Sequence, residues 1–452
     1  MTGSVAPAVP STRRPSASKP KRSGVADVLT AGYSLIAGGA VALWWADEAG
    51  SHLTATSLGR LAGLLGTLGL LGLVVLIARV PWLEREVGQD VLLYWHRKLA
   101  PYTLLLMSAH VLLITIGYAG TTRTNLADQL WRFVTGYPDM LKAITGFLLF
   151  IGAGVVSWRR LRRFLRYETW WASHLFTYAG ALLVFGHQFS NGNSFIHNPA
   201  ASLAWRVLYI GVFTALVGWR VALPLGRSLR HDLRVAEVRR VNADVVHVIM
   251  SGRSLDRLGL RGGQFLQFRF LTPSLWWQAH PYSTSARPMP DAMRITVRVV
   301  GDGTHQLRRL RPGTRIWLEG PYGAFTVRRA RTHRLALIAG GIGITPIRSL
   351  LDDLPADSQP IVLYRTRRDK DVVMQAELDK LVADRGGVIH YLVGARDRQP
   401  IHEHRLLELV PDLLNRELFI CGPRALVRDA STSARRLGLP RHAIHAERFD
   451  FE

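Results

Sequence analysis

The chain has one cysteine, Cys421. This excludes an intrachain disulfide and a cysteine-ligated cluster, and the thiol falls in a half of the chain read below as cytoplasmic, where thiols stay reduced. Acidic residues are also scarce. Against 57 Lys and Arg stand 33 Asp and Glu, a formal net charge of +24. That balance invites a nucleic-acid partner, yet no zinc-ligand spacing or other nucleic-acid motif accompanies it, so none is expected. Juxtamembrane basic segments facing anionic lipid account for much of the charge. No internal repeat is visible.

What is present divides the 452 residues into two unlike halves. The first is rich in Leu, Gly, Ala and Trp, and holds six apolar stretches of the roughly 20 residues a membrane-spanning helix needs. They lie near Val25–Trp45, Thr56–Ala78, Val91–Tyr118, Met140–Trp158, Trp170–Phe189 and Ala201–Leu223. The third is long enough to continue into water. A Pro-, Ser- and Arg-rich leader precedes the first stretch, which is full spanning length and does not resemble a cleaved signal peptide. Residues 1–24 are expected to be a disordered basic tail. Arg13, Arg14, Lys19, Lys21 and Arg22, the link "WRRLRRFLRYE", and Arg220 to Arg234 are basic, whereas "ADEAGSHL" and "SNGNSFIHNP" contain no Arg or Lys. Positive charge stays inside. Both termini and the second half are therefore expected in the cytoplasm, with the first half multi-pass in the cell membrane.

Two predicted spans carry two histidines each: His96 and His110 on the third, His174 and His187 on the fifth. An imidazole in hydrocarbon costs free energy unless it is coordinated or hydrogen-bonded. Both spans run in the same direction. His96 therefore shares a depth with His174 near the inner face, and His110 a depth with His187, about 20 Å farther out. This suits two haem irons, each clamped by one imidazole from either helix. A fourteen-residue step returns to nearly the same helix face, but a thirteen-residue step misses by roughly 140°. The fifth helix must therefore distort, and Gly180 is a candidate place. His52 and His197 pair with nothing and read as solvated loop residues. Arg60, near the outer end of the second span, is placed either to pair with an outer-haem propionate or beside the electron exit. An arginine snorkelling to the interface is the plain alternative.

The second half turns to short strands. In "RITVRVVGDGTHQL" the residues alternate as in a half-buried strand and end in a turn, Gly301-Asp302-Gly303-Thr304, suited to a phosphate. In "HPYSTSARP", Tyr282 offers a flat face and Ser283, Thr284 and Ser285 offer hydroxyls and amides. These strands and their Gly-rich turns predict a small antiparallel barrel. From Arg331 the pattern is α/β. "RLALIAGGIGITPIRSLL" reads as a strand, a turn at Gly340-Gly341-Ile342-Gly343, and a helix from about Pro346 whose start would cradle a pyrophosphate. The GxGxxG fingerprint is absent. Arg365 and Arg367 end a second strand, placed for an adenosine ribose or its 2′-phosphate. Cys421, Gly422 and Pro423 end a third, where open α/β sheets bind ligands.

Residues from about 231 onward resemble the ferredoxin-NADP reductase superfamily. "HPYS" (His280, Pro281, Tyr282, Ser283) is similar to its flavin motif, with His280 where many members have arginine. "VRVVGDGT" is similar to its flavin-phosphate strand, which implies that Arg298 and Thr304, with Val299, Gly301 and Gly303 between them, meet the FAD pyrophosphate. "GGIGITP" (through Thr345 and Pro346) and "CGP" resemble its nicotinamide-nucleotide motifs. "ERFDF" resembles its terminal signature and implies that Phe449, or alternatively Phe451, covers the flavin ring with Glu447 nearby. Joined to six spans with paired histidines, the whole resembles the NADPH oxidase/ferric reductase family; Ile114, one turn beyond His110, adds no protonatable group.

The expected architecture is a multidomain membrane protein. A six-helix transmembrane bundle (25–225) precedes an antiparallel β-barrel FAD domain (231–328) and an α/β NAD(P)H-binding domain (331–452). The expected function is transfer of electrons from NAD(P)H, with NADPH slightly favoured by Arg365 and Arg367, through FAD and two b-type haems to an acceptor outside. That acceptor is dioxygen giving superoxide, a ferric chelate, or a periplasmic redox protein. The rival from another class is a non-enzymatic haem or proton carrier with a nucleotide-regulated tail.

Overall fold

The computed structural model describes residues 24–49, 52–165, 167–395 and 400–448. Its first half is helical: α1 (Gly24–Asp47), α2 (Ala55–Ile77), α3 (Pro81–Val87), α4 (Gln89–Thr122), α5 (Leu126–Gly136), α6 (Met140–Ser157), α7 (Arg159–Arg162), α8 (Tyr167–Leu183), α9 (Phe185–Asn191), α10 (Asn193–Ile196) and α11 (Pro199–Val217). A π-helical turn, Gly218–Ala222, joins α11 to α12 (Leu223–His231), so the last apolar helix runs on to the first strand. Among the described residues five helices are long and apolar enough to cross a membrane, not the expected six. The stretch expected at Trp170–Phe189 is broken at Val184 into α8, of 17 residues, and α9, of seven.

Helix α2 packs along α4 through small residues, as close helix approach in lipid requires. A Cβ on Gly63 would lie 2.6 Å from His110 Nδ1, and one on Gly69 2.5 Å from Thr103 Oγ1. A capping box starts α2: Ser57 N donates to Thr54 Oγ1 and Thr54 N to Ser57 Oγ. Helix α4 is indeed long, 34 residues, with Pro101 inside it.

The second half begins with six strands, β1 (Arg234–Arg240), β2 (Val245–Ser251), β3 (Phe265–Phe270), β4 (His280–Ser283), β5 (Ala292–Arg298) and β6 (Ile316–Tyr322), with α13 (Asp302–Leu307) after β5. They form two three-stranded antiparallel sheets, β1-β2-β5 and β4-β3-β6, around one apolar core that includes Met250, Phe268, Phe270, Ile295 and Leu318. Single bridges, Arg234 to Arg315 and Thr284 to Ile295, join them. The expected barrel is thus two facing sheets rather than one closed ladder. Of the alternation read for β5, Ile295, Val297 and Val299 are buried and Arg294 and Arg298 half-buried as expected, but Thr296 on the other face is buried too.

Then come β7 (Leu335–Gly340), α14 (Ile344–Asp352), β8 (Ile361–Thr366), α15 (Gln375–Ala383), β9 (Val388–Val393), α16 (Glu403–Leu409), β10 (Glu417–Gly422), α17 (Arg424–Arg436) and β11 (Ile444–Arg448). They build a parallel sheet in the order β11-β10-β7-β8-β9. Its central strands β7 and β10 are buried throughout, as a sheet covered on both faces requires.

An ion cluster ties the two strand-bearing units together. Arg294 of β5 donates to both carboxylate oxygens of Glu377 on α15 at 2.7 Å, and Arg348 of α14 adds a third bond at 3.0 Å. The hydrogen bonds from Arg294 first, then the nearby positive charges, hold the Glu377 carboxyl down at about 2. A carboxylate with a depressed folded pKa stabilises fully above its unfolded value of about 4.5 and loses that contribution as pH falls toward 2. Glu377 is 37% exposed, so screening reduces the effect to about 1–2 kcal/mol. Glu377→Gln should therefore lower the melting temperature at pH 7, and the gap to wild type should narrow at pH 3.5. Thermal scans at the two pH values check this; an equal gap at both would show that the pair does not act through its charge.

Candidate functional site

Three arrangements of side chains converge on redox chemistry. The first is the histidine columns of α4 and α8–α9. The ring centres of His96 and His174 lie 6.3 Å apart, and those of His110 and His187 also 6.3 Å apart. Two imidazoles sharing one axial metal, each nitrogen about 2 Å from it, hold their ring centres about 6 Å apart. Among the described residues no group of three or more His, Cys, Asp or Glu could hold a bare ion. A metal whose remaining ligands come from a macrocycle fits both pairs.

Helix α2 orients the α4 rings. His96 Nδ1 lies 3.2 Å from the Leu73 carbonyl, and His110 Nδ1 2.8 Å from the Gly59 carbonyl. A carbonyl can only accept, so each Nδ1 is the protonated nitrogen and Nε2 is left for a metal. His174 is fixed differently: Trp170 stacks on it at 5.3 Å, Trp170 Nε1 donates to Ser157 Oγ at 3.1 Å, and that hydroxyl lies 3.4 Å from His174 Nδ1. His187 Nδ1 is buried without a hydrogen-bond partner. The distortion demanded by the thirteen-residue spacing falls at Val184, not at Gly180. Gly180 instead permits close packing on α6, where its Cβ would lie 3.0 Å from the Gly146 carbonyl oxygen.

Around His110 and His187 lies a cavity of about 420 Å³, lined also by Arg60, Met107, Ile114, Phe147, Gln188 and Asn191. Arg60 is half-buried at its rim and paired with Glu48 at 3.0 Å. His52 and His197 are exposed, outside both pairs.

The second arrangement surrounds β4. His280 stacks on Tyr282 at 6.1 Å with 16° between the planes, and Tyr282 packs on Phe268. Ser283 Oγ and His280 Nε2 are buried without hydrogen-bond partners, an unusual cost unless a ligand completes them. A Cβ on Gly303 would sit 3.2 Å from the His280 ring, so glycine lets the 301–304 turn close over the motif. The Thr304 hydroxyl accepts from Val300 N and Gly301 N and donates to the Gly301 carbonyl, holding that turn. Arg298 closes β5 and Val299, buried, follows it. Pro281 pairs across the ladder with Gln267.

The third is the end of the parallel sheet. Gly340 and Gly422 abut: a Cβ on Gly422 would lie 3.1 Å from Gly340 Cα. Gly341 has φ +56°, a conformation that favours glycine. Helix α14 starts at Ile344, two residues before the expected Pro346, because Gly341–Gly343 already forms a helical turn. Thr345 donates to the Ile342 carbonyl at 3.1 Å. Cys421 is fully buried in the apolar core and its thiol is pushed up by desolvation, so the backbone of 421–423 rather than the sulfur reaches the strand ends. Gly422 ends β10 and Pro423 caps α17. Glu447 lies on β11, paired with Cys421. Phe449 and Phe451 lie outside the described residues. Arg365 is half-buried and Arg367 exposed. Arg365 borders a groove of about 840 Å³ with His402, Arg428, Thr432 and Arg436. Apart from Arg365 none of these groove residues carries a motif, and only the fold brings them together.

Comparison with known proteins agrees with this division. Residues 62–185 match the model of the ferric reductase like transmembrane component, 230–326 an FAD-binding domain, and 337–432 an oxidoreductase NAD-binding domain. The ferredoxin reductase component of a 3-ketosteroid-9-alpha-monooxygenase from Mycolicibacterium smegmatis is 30% identical over 240 residues, 50% of this chain and 67% of that protein. An NADPH oxidoreductase of Mycobacterium tuberculosis is 27% identical over 51% of this chain and 62% of its own length. The chain thus spans about two thirds of the length of these relatives. Among solved structures, the flavohem-like FAD/NAD binding domain of nitric oxide dioxygenase from Vibrio cholerae matches 49% of this chain and 99% of that one, at 21% identity and a TM-score of 0.42. With FAD- and NAD-binding domains behind a ferric-reductase-type membrane component, the chain belongs to the ferric reductase/NADPH oxidase-like family and is an oxidoreductase.

Proposed function

We propose that this chain is a transmembrane oxidoreductase that moves electrons from cytoplasmic NAD(P)H through FAD and two b-type haems to an extracytoplasmic acceptor, either dioxygen or a ferric chelate, or a periplasmic redox protein. The observation that carries this reading is the pair of imidazole pairs with equal 6.3 Å ring separations on the same two helical segments. In this reading α8 and α9 together form the sixth span, broken where the second imidazole must turn toward its partner.

When bound, FAD accepts hydride and releases electrons singly, and the haems relay them through a layer that otherwise excludes charge. Everything else is done by this chain's residues. The glycine-lined ends of β7 and β10 bind the dinucleotide pyrophosphate, and Arg365, Arg367 and the neighbouring groove bind the adenosine end. Tyr282 would lie against the flavin ring, and Ser283 would donate to it. His280, with Arg298 and the 301–304 turn, would hold the FAD phosphates. Glu447 would stand near the flavin ring. His96 and His174 would hold the inner haem, and His110 and His187 the outer one. Arg60, already paired with Glu48, stands at the rim of the outer cavity where a propionate or an anionic acceptor would arrive. With the flavin half inside, outward electron movement gains about 2.3 kcal/mol per 100 mV across an interior-negative membrane.

Anaerobic spectra of the detergent-solubilised protein with FAD and NADPH test the reading: reduced low-spin haem bands should appear only when both are present. His→Ala at any of the four positions should abolish one of two haems, and full pigment in all four variants would overturn the assignment. Gly63→Ala should act similarly at the outer site alone, because its methyl would displace the His110 ring; pigment should fall by about half, the stoichiometry of losing one bis-imidazole site. NADPH should give a higher kcat/KM than NADH, and a clear preference for NADH would remove the assigned role of Arg365 and Arg367. Superoxide measured with and without dismutase separates dioxygen from the other acceptors.

A further inference from the structure

The link between α2 and α3 is where the membrane half grips the flavin half. Arg79 stands two residues beyond α2 with φ +59°, a left-handed conformation that a residue other than glycine rarely holds without tertiary support. Its side chain is only 9% exposed. Its guanidinium donates to Glu319 at 2.6 Å and to Gln267 Oε1 at 3.0 Å, and lies 4.7 Å from the centre of the Tyr322 ring. These partners come from β6 and β3, some 190 to 240 residues away in sequence. Gln267 and Glu319 are register partners, as are Phe265 and Tyr322. On its other side β3 pairs with β4, placing Gln267 opposite Pro281 and Phe265 opposite Ser283. One strand therefore separates Arg79's grip from the flavin motif.

The other end of the same segment reaches the inner imidazoles. Leu73, six residues before Arg79, offers the carbonyl that orients His96. The contact is reinforced by Arg227, which donates to the Gly320 carbonyl, and by Ser228, whose hydroxyl accepts from Leu318 N at 3.0 Å. Glu84, 4% exposed on α3, lies in the field of Arg79, Arg220 and Glu319, and burial pushes its carboxyl up to about 7.

We propose that Arg79 is a positioning residue: it fixes the flavin-bearing sheet relative to the inner imidazole pair, and so sets the rate at which electrons pass from the flavin half to the membrane half. The proposal rests on the functional reading above. Arginine suits this role because its planar fork binds two acceptors at fixed angles, which a lysine cannot reproduce.

The test uses the full-length protein loaded with FAD and haem, mixed anaerobically with NADPH while flavin and haem absorbance are followed separately. Arg79→Gln should keep its haem content and reduce flavin within about twofold of wild type, yet reduce haem about tenfold more slowly or worse, the scale expected when a reacting pair is misplaced by an ångström. Arg79→Lys should fall between. Hydrogen exchange of the amides in 78–88 and 316–322 should rise in Arg79→Gln. Haem reduction at the wild-type rate, or flavin and haem reduction falling in parallel, would overturn the proposal. If Arg79→Gln is not recovered with haem, Glu319→Gln breaks the same pair from the other side and is judged by the same criteria. Wild-type protein that reduces flavin but never haem would defeat the functional reading instead. The grip itself would then be judged by exchange, and unchanged protection in the variants would overturn it.

Discussion

The constraint from which the membrane half follows is that an imidazole nitrogen left unpaired in hydrocarbon costs free energy. On α4 one nitrogen of each ring is satisfied by a backbone carbonyl of α2, Leu73 for His96 and Gly59 for His110. A helical carbonyl is normally committed to an amide of its own helix, and it can take a second donor only if the neighbouring helix comes very close. That closeness is what the small residues on α2 provide: at Gly63 even a methyl group would collide with the His110 ring. The glycines, the carbonyls and the histidine tautomers are thus one device. It leaves Nε2 of each α4 histidine free, and the facing ring of α8 or α9 lies at the distance that a shared metal sets.

Much of this was legible in the amino-acid order. Four histidines on two apolar segments announce themselves because their chemistry is incompatible with lipid. "HPYS", "GGIGITP" and "CGP" announce themselves because phosphate and flavin binding need glycine and hydroxyl residues at fixed points of a strand end. The α4 length, the apolar face of β5 and the buried strands β7 and β10 follow from hydrophobic pattern alone, whereas the burial of Thr296 on the other face of β5 does not. What was not legible acts through the backbone or across long separations. Helix α2 reads only as an apolar span, since its contribution is two carbonyls that carry no side-chain signature. The interruption at Val184 is marked only by Gly186 two residues on, and a single glycine inside an apolar run is an ordinary feature of a span. Arg79 is one arginine among many in a basic chain, and its partners lie at Gln267, Glu319 and Tyr322. The groove beside Arg365 draws on α16 and α17, which only the parallel sheet brings together.

The two halves solve the same geometric problem with different forces. In the membrane, apolar side chains gain little by leaving lipid for a neighbouring helix, so shape and backbone polarity decide the packing. In the flavin-domain sheets, burial of Phe268, Phe270, Ile295 and Leu318 removes apolar area from water and sets the core without directional help. Neither force fixes how one half sits on the other. Apolar contact tolerates sliding, and the apolar helices have no reason to prefer one rotation of the strand-bearing half.

That gap is filled by buried charge. A desolvated arginine–carboxylate pair is weak evidence for stability, because removing both ions from water costs about as much as their attraction returns. What it contributes is direction: a guanidinium held by two fixed acceptors has one good orientation, and leaving either partner alone is costly. Arg79 with Glu319 plays this part between membrane and flavin halves, as Arg294 with Glu377 does between the flavin sheets and the nucleotide-binding sheet. Gln267, the second acceptor of Arg79, sits on β3 beside "HPYS" with Glu319 on β6 one strand farther, and Arg294 sits on β5, which leads into the phosphate turn. Two ion pairs thereby hold the helical half, the flavin sheets and the nucleotide-binding sheet in one alignment.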